Sequence, residues 1–235
     1  MLKLRLDRII ANSGLYTRSQ AVFLIKAGRV SVDGDVAVSA SLKYDPRTSF
    51  VCVDGKNLGY KEFRYIIMNK PRGYISSTSD KRDRTVIELL DESYSKLGLF
   101  PAGRLDKDSE GLLILTNDGD FAYEITSPSK KVNKRYFVQI DGTVTDKEIK
   151  ALSEGLTLKD GTKCLPALLE AAPDGAYVTL HEGKYHQVKR MMSALQMPVK
   201  YLKRISIGDL ALDESLKPGE YYEVADDIRS LIFHK

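Results

Sequence analysis

Residues 103–119 read GRLDKDSEGLLILTNDG. A Gly-Arg turn leads through a loop of acidic and hydroxyl side chains into an apolar strand at residues 112–115, which stops at the turn sequence Asn-Asp-Gly. Proteins often hold catalytic groups rigidly in polar loops that abut a buried strand. Composition alone still favours a charged surface loop, so this stretch needs support from the rest of the chain.

Short strands and helices alternate on both sides of this stretch. Residues 65–71 predict a buried strand that ends at a proline, and further strands are predicted at 135–140 and 177–180. Helices are predicted at 86–90, 121–125 and 186–195. No βαβ repeat with a glycine-rich phosphate loop is present, which argues against a doubly wound nucleotide fold. We therefore expect an α+β domain over residues 61–235, with a mixed and mainly antiparallel sheet.

The positive charge of the chain is concentrated at its beginning. Residues 1–60 contain nine Lys and Arg against five Asp, a net charge of +4, whereas residues 61–235 contain 27 basic and 27 acidic residues. Turn residues around positions 54–59 place a domain boundary near residue 60. This asymmetry predicts a small module at residues 1–60 that binds a polyanion, followed by a larger domain with another task.

Residues 6–34 of this module read LDRIIANSGLYTRSQAVFLIKAGRVSVDG. Helical spacing of apolar residues predicts two short helices, the second capped by Thr17, and alternation around Asp33-Gly34 predicts a hairpin that returns over residues 36–38. The stretch resembles an S4 RNA-binding domain over roughly residues 2–48, which implies binding to structured RNA. The basic residues between the apolar positions are the candidates for phosphate contacts: Arg5, Arg8, Arg18, Lys26 and Arg29.

Several classes of protein are disfavoured by composition. Charges interrupt the apolar positions of the first ten residues, so we expect no signal peptide, and no apolar run reaches the roughly 20 residues that span a bilayer. Cys52 and Cys164 lack metal-ligand or redox spacing, so we expect free thiols and no structural metal. These features predict a cytoplasmic protein that does not interact with membranes.

Residues 103–119 and two other separated motifs together favour a catalytic loop over a charged surface loop. That stretch resembles the catalytic motif of pseudouridine synthases of the RsuA branch, and two more stretches match motifs of the same family in the same order. They are MNKPRGYISST at 68–78 and EGKYHQVKRMM at 182–192. Together with the S4-like segment, the resemblance covers nearly the whole chain. It implies a pseudouridine synthase domain behind an S4 domain, with ribosomal RNA or a ribosomal subunit precursor as the partner, and we expect a monomer.

The resemblance also implies roles for single residues. Asp106 matches the essential aspartate of the family, and Lys189 matches the basic residue that pairs with it. Tyr136 matches the tyrosine that stacks on the target base, and Leu202 matches an apolar residue of the pocket. Arg104 is a candidate for positioning the flipped nucleotide. Taken alone, Tyr136 and Leu202 would be ordinary core residues and Lys189 a solvated charge.

These residue types suit the isomerisation of uridine. The reaction breaks the bond from N1 to the sugar, turns the base and rejoins it through C5, so no electrons or groups are exchanged and no cofactor is needed. A carboxylate can attack the sugar or the base only when ionised, and a neighbouring ammonium favours that form. The base must be flipped out of the RNA and held by apolar and aromatic walls. Basic residues around the proposed pocket are candidates for RNA contacts: Lys134, Arg135, His186 and Arg190.

Three alternatives stay open. The motif around His186 and the C-terminal sequence are more similar to enzymes of small-subunit (16S) rRNA than to those of the large subunit, but a large-subunit substrate is the competing reading. A non-catalytic ribosome assembly factor with a degenerate synthase domain is another. A hydrolase that uses Asp106 with Asp108 or Glu110 as an acid–base pair would explain neither the S4-like segment nor the other motifs.

Overall fold

A computed structural model describes residues 3–224 and 228–233 of the chain. The chain forms two compact units. The first contains residues up to Arg64 together with Leu90–Leu99, and the second contains Tyr65–Leu89 and the chain from Phe100 onward. The change of unit at Arg64 lies close to the boundary predicted near residue 60. Residues 90–99 were expected in the larger domain, but their contacts place them with the first unit.

Close packing within the first unit explains where residues 90–99 lie. Gly14 has a φ of +82°, and a Cβ built there would come 2.6 Å from the carbonyl oxygen of Ser93 and 3.2 Å from the Leu97 side chain. Only a glycine lets the turn after the first helix approach this segment so closely. The residues Asn12-Ser13-Gly14 are typical of a helix end, but nothing in them indicates this contact.

The first unit packs two helices against short strands. Helix α1 spans Leu6–Ala11 and α2 spans Arg18–Lys26. Thr17 caps α2 in a reciprocal capping box with Gln20, as the sequence predicted for this cap. The strands are β1 Leu4–Arg5, β2 Val30–Val32, β3 Asp35–Val36, β4 Lys43–Tyr44, β5 Val51–Val53 and β6 Lys56–Asn57. They form a β1–β4 pair and a four-stranded sheet in the order β3-β2-β5-β6.

The core of this unit follows the predicted apolar positions. Leu6, Ile9 and Ile10 of α1 are at most 1% exposed and pack with the apolar face of α2 and with β2 and β5. The return strand of the hairpin is shorter than predicted, because β3 ends at Val36 and Val38 is 86% exposed. The fold leaves the charged faces of both helices outside this core.

The second unit is built on one large sheet. Its strands are β7 Tyr65–Lys70, β8 Phe100–Pro101, β9 Glu110–Thr116, β10 Lys134–Ile140, β11 Leu168–Ala172, β12 Gly175–Leu180, β13 Val199–Ile207, β14 Leu210–Ala211 and β15 Tyr221–Glu223. The strand order is β11-β12-β10-β13-β9-β7-β15, with β14 paired to β13 and β8 to β9. Among the described strands only β9 and β13 pair in parallel. The predicted α+β class with a mainly antiparallel sheet is confirmed.

Helices cover this sheet in two apolar clusters. The α-helices are α3 Gly119–Thr126, α4 Asp146–Glu154, α5 Gln187–Ala194 and α6 Ile228–Ile232, and the 3-10 helices are η1 Val86–Leu89, η2 Glu92–Tyr94 (in the first unit) and η3 Pro128–Lys130. One cluster joins α4 and α5 to β10, β12 and β13, and the other joins α3 and α6 to β7 and β9. The predicted helix at 86–90 is a 3-10 turn. Within the described ranges, no helix combines the length and apolar character needed to cross a bilayer.

A glycine holds the two parallel strands together. Gly111, in the second position of β9, has a φ of +106°, and a Cβ there would lie 2.2 Å from the carbonyl oxygen of Arg204 on β13. No side chain fits this contact without moving one of the two strands.

We therefore expect Gly111→Ala to lower the free energy of unfolding by about 3 kcal/mol or more, because backbone strain and a backbone clash coincide. Gly142→Ala is the matched control. It has a similar φ of +92° but open space around the new Cβ, so only about 1 kcal/mol of strain is expected. Urea denaturation of both variants measures the difference, and equal losses would contradict this account of the strand contact.

Candidate active site

A buried lysine binds the backbone of the polar loop between β8 and β9. Lys70, at the end of β7, is 0% exposed, and its Nζ donates to the carbonyl oxygens of Pro71, Asp106 and Ser109 at 3.0, 3.0 and 2.8 Å. Burial lowers the pKa of Lys70 to about 8, and the charges of nearby carboxylates oppose this shift. These three contacts fix the backbone of the loop at Asp106. The sequence singled out the Asn-Lys-Pro motif but assigned Lys70 no task.

A hydroxyl group fixes the residue before Asp106. The Ser76 Oγ accepts from the Leu105 backbone NH at 3.0 Å and donates to the Leu105 carbonyl at 2.9 Å. Both residues are buried, so this exchange takes place away from water. The motif at 68–78 therefore serves as the support of the loop at 103–110, which explains why two distant motifs occur together.

Lys189 and His186 lie next to the Asp106 carboxylate. The Lys189 Nζ lies 3.0 Å from its Oδ2, and the His186 Nε2 lies 3.4 Å from its Oδ1. The Lys189 Nζ also lies 2.5 Å from the Asp108 Oδ1, so the ammonium bridges two carboxylates. The Asp106 side chain keeps 28% exposure and can therefore be reached by a substrate.

The charge of Lys189 is stabilised by this bridge. Burial alone would lower the pKa of Lys189, but hydrogen bonds and charges of Asp108 and Asp106 outweigh it, and the net shift is upward. The hydrogen bond from Lys189 lowers the pKa of Asp108, with burial opposing. The site therefore keeps a fixed positive charge beside Asp106 across the physiological pH range.

A buried glutamate, Glu182, orders the turn that precedes α5. Glu182 is 5% exposed and accepts from the backbone NH of Leu165 at 2.8 Å, and also from the side chains of Lys184 and Gln187. Next to this network His186 adopts the left-handed conformation, with a φ of +47°. The turn directs His186 and, one helical turn later, Lys189 toward Asp106.

Asp106, Lys189 and His186 border a cavity of about 580 Å³ in the second unit. Tyr136 of β10 and Leu202 of β13 line it and are only 8% and 5% exposed. Tyr136 pairs with Arg204 across the two strands, and Val138 pairs with Leu202. Since directly paired residues share a face of the sheet, an aromatic and an apolar wall meet at one point beside the carboxylate. The volume suits a small planar group.

Two further cations lie deep in this cavity. Lys134 and Arg204 line it and are 7% and 3% exposed. The sequence predicted Lys134 as an RNA contact within a basic cluster around the pocket, yet it is buried. Arg204 was not among the candidate residues named from the sequence, although its two-residue spacing from Leu202 on a strand is typical of side chains that share a face. Its Nε donates to the Leu112 carbonyl at 2.7 Å.

The other predicted site residues divide into two groups. Arg104 lines the cavity and is exposed. Arg135 pairs with Glu170 at 3.1 Å and lies outside the cavity lining. Arg190 also lies outside it, in a neighbouring groove of about 460 Å³ that His186 and Lys189 share, and it pairs with Asp160 at 2.5 Å.

In the first unit, some of the predicted phosphate contacts already have acidic partners. Arg5 makes a bidentate contact with the buried Asp7 at 3.1 and 2.9 Å, and Arg29 does so with Asp54 at 2.8 and 2.5 Å. Arg18 lies 3.9 Å from Asp7 and is largely exposed. Arg8 and Lys26 are exposed. The charge on this face is therefore presented mainly by residues of the two helices.

The chemistry open to this site is narrow. An ionisable carboxylate is fixed by its backbone, has a permanent cation beside it, and faces a cavity with aromatic and apolar walls. The carboxylate of such a site can attack an electrophilic carbon of a bound planar heterocycle or of the sugar attached to it, and the surrounding groups can stabilise the charge that develops.

Comparison with known proteins agrees with this geometry. Residues 64–194 match the model of the RNA pseudouridylate synthase family, and residues 4–47 match that of the S4 domain. The chain is 43% identical over 229 residues to the uncharacterized RNA pseudouridine synthase YtzG of Bacillus subtilis, covering 95% of this chain and 96% of the relative. It is 39% identical over 229 residues to the ribosomal small subunit pseudouridine synthase A of Escherichia coli, covering 95% and 97%.

A solved structure supports the same conclusion. The crystal structure of a pseudouridylate synthase superposes with a TM-score of 0.65 at 37% identity, covering 94% of this chain and 96% of that one. The predicted resemblance and the order of the two domains are thus confirmed. The chain belongs to the RNA pseudouridylate synthase family and is an S4-containing RNA pseudouridine synthase of the RsuA type.

Proposed function

We propose that this synthase isomerises a specific uridine of 16S small-subunit ribosomal RNA, with Asp106 as the nucleophile. The observation that carries the proposal is the Asp106 carboxylate, 3.0 Å from Lys189 at the edge of a cavity of about 580 Å³. The small-subunit assignment is supported by the names of relatives from Escherichia coli and Vibrio parahaemolyticus, at 39% identity each.

In the proposed reaction the target uridine leaves the RNA stack and enters the cavity. Tyr136 stacks on the base, Leu202 packs on its other side, and Arg104 at the exposed rim contacts the nucleotide backbone. Asp106 attacks, the bond from C1′ to N1 breaks with its electron pair going to the base, and the base turns. C5 then bonds to C1′, C5 loses its proton, N1 gains one and the carboxylate is released. Atoms and electrons balance without a cofactor.

The partner of the first unit is proposed to be the same RNA or a ribosomal subunit precursor. Its exposed cations on α1 and α2 would neutralise phosphates outside the target nucleotide. A monomer in the cytoplasm, with no membrane contact, stays a prediction that goes with this partner.

The proposal is tested by mapping pseudouridines in ribosomal RNA of cells that lack the gene. One small-subunit site is expected to lose its modification and to regain it when the wild-type gene is returned, but not with the gene for Asp106→Asn. Loss at a large-subunit site would replace the proposed substrate. Unchanged modification at every site, with defective subunit assembly, would favour the assembly-factor alternative.

A charge variant tests the role of the first unit. Replacing Arg8, Arg18 and Lys26 by Gln is expected to weaken RNA binding and to reduce the slope of log affinity against log salt by about 2 to 3, since each phosphate contact releases a counterion. The control replaces Lys147, Lys150 and Lys217, three exposed lysines of the second unit, by Gln. Equal slopes in both triple variants would show that the anchoring does not depend on α1 and α2.

A further inference from the structure

Two buried cations, Lys134 and Arg204, line the active-site cavity, and each has a side-chain nitrogen for which the described part of the chain offers no hydrogen-bond partner. Among the described residues, neither the Lys134 Nζ nor the Arg204 Nη2 has a hydrogen-bond partner, although both atoms are buried. Both residues line the cavity that contains Asp106. A buried donor left without a hydrogen-bond partner is destabilising, and more so when it is charged, so such a pair requires an explanation.

The strands fix where these cations point. Lys134 and Tyr136 are two residues apart on β10, and Arg204 is the direct pair of Tyr136 on β13. Alternation along β10 and direct pairing across the strands put all three side chains on one face. The two cations therefore adjoin the surface on which the base is proposed to stack.

Arg204 is also held in one orientation. Its Nε donates to the Leu112 carbonyl at 2.7 Å, and the Gly111 contact packs β9 directly on its backbone. The planar guanidinium leaves its Nη2 aimed in a fixed direction. Hydrogen-bond donors that are held in a fixed direction can stabilise negative charge as it develops on a substrate during a reaction.

Lys134 remains a cation at neutral pH. Burial lowers the pKa of Lys134 to about 8, and the neighbouring Arg204 charge adds to the decrease. An ammonium with that value is still mainly protonated at pH 7, and an electronegative oxygen in the cavity would increase the protonated fraction.

We infer that Lys134 and Arg204 bind the carbonyl oxygens of the target uracil and stabilise the negative charge on the base after the N1–C1′ bond breaks. The inference rests on the proposed isomerisation at Asp106. The electron pair of the broken bond stays on the base, where resonance spreads it over both carbonyl oxygens until C5 bonds to C1′. A phosphate fits this position less well, because both cations lie at the buried end of the cavity and the nucleotide backbone must remain at its exposed rim.

The test compares Lys134→Met with Lys147→Met, an exposed lysine on α4. The RNA is small-subunit ribosomal RNA from cells that lack the gene, in single-turnover experiments. We expect the rate constant of Lys134→Met to fall about 100-fold, with RNA affinity and its salt slope within twofold of the wild type. We also expect an unfolding temperature at least equal to the wild type, because a buried unpaired charge is removed. Lys147→Met should match the wild type in all three.

Two outcomes would overturn the inference. A rate constant within threefold of the wild type would exclude the stabilising role. A loss of affinity together with a salt slope smaller by about one would assign Lys134 to a phosphate instead. If the wild type itself did not modify this RNA, the proposed substrate would be wrong, and a second measurement then tests the inference independently.

That measurement uses free bases as probes. 5-Nitrouracil is largely an anion at neutral pH, whereas uracil is neutral. We expect the wild type to bind 5-nitrouracil about tenfold more tightly than uracil, in line with a charge-assisted hydrogen bond. Lys134→Met should lose this preference and Lys147→Met should keep it. Equal affinity for both bases, or no binding of 5-nitrouracil, in the wild type would overturn the inference.

Discussion

Asp106→Asn is expected to reduce isomerisation at least about 10,000-fold while RNA binding stays within threefold of the wild type. The amide has the shape of the carboxylate but cannot form the covalent bond. The Asp106 side chain is 28% exposed and Lys189 retains Asp108 as a partner, so unfolding free energy should change by about 1 kcal/mol or less. Pseudouridine formed per RNA, and filter binding of the same RNA, measure the two effects.

The control for this variant is Asp120→Asn, an exposed carboxylate in the first turn of α3. It removes the same charge at a residue that does not line the cavity, so turnover should be unchanged. Turnover of Asp106→Asn within tenfold of the wild type would remove Asp106 from the nucleophile role. Loss of RNA binding in the same variant would instead indicate a defect of the loop.

Lys189→Met is expected to reduce activity about 100-fold at pH 7 and to recover part of it as the pH rises. Methionine keeps much of the length of the side chain but removes the charge that bridges Asp106 and Asp108. Two neighbouring carboxylates without a cation between them repel each other, which favours protonation of one of them. Raising the pH removes that proton and restores the anionic nucleophile. The measurement is single-turnover rate against pH from 6 to about 9.5.

Lys189→Arg is the matched control, since it keeps the charge and changes only the geometry. It should lose less activity than the Met variant, and its loss should be independent of pH. If the Met variant lost activity equally at every pH, Lys189 would act on the RNA backbone and not on the carboxylates. If it lost none, the reaction would not depend on Lys189, and His186, whose Nε2 lies 3.4 Å from the Asp106 Oδ1, would be the next group to change.

Some residues of the site could be located from the sequence, because they lie in motifs that occur in the same order along the chain as in the family. Asp106, Lys189, Tyr136 and Leu202 were identified by resemblance, and all four lie around one cavity. Thr17 and the two helices of the first unit followed from local capping and apolar spacing, which need no tertiary information. The roles assigned to these residues stay predictions until the variants above are measured.

The parts that the sequence missed depend on partners far along the chain. Strand β13 carries cations at 200, 203 and 204, which make its pattern resemble a solvated segment. Arg204 is nevertheless 3% exposed, because it lies two residues after Leu202 on the face of β13 that lines the cavity. Helix α4 was not predicted, because charges surround its few apolar residues and Leu152 alone is buried. Lys134 is in phase with Tyr136 along β10, but lysine is a residue type that is almost always exposed, so its burial was not predicted.

The parallel pairing of β9 with β13 also has a consequence for synthesis on the ribosome. The strands pair at Glu110 with Lys203, so β9 gains this neighbour only after more than ninety further residues have emerged. The core of the first unit, in contrast, is made by residues 4–60. Contacts of such long sequence separation form late and slowly, whereas local helices form early. A nascent chain would therefore be able to hold RNA well before it could modify it, and translation pauses between β9 and β13 would lengthen that interval.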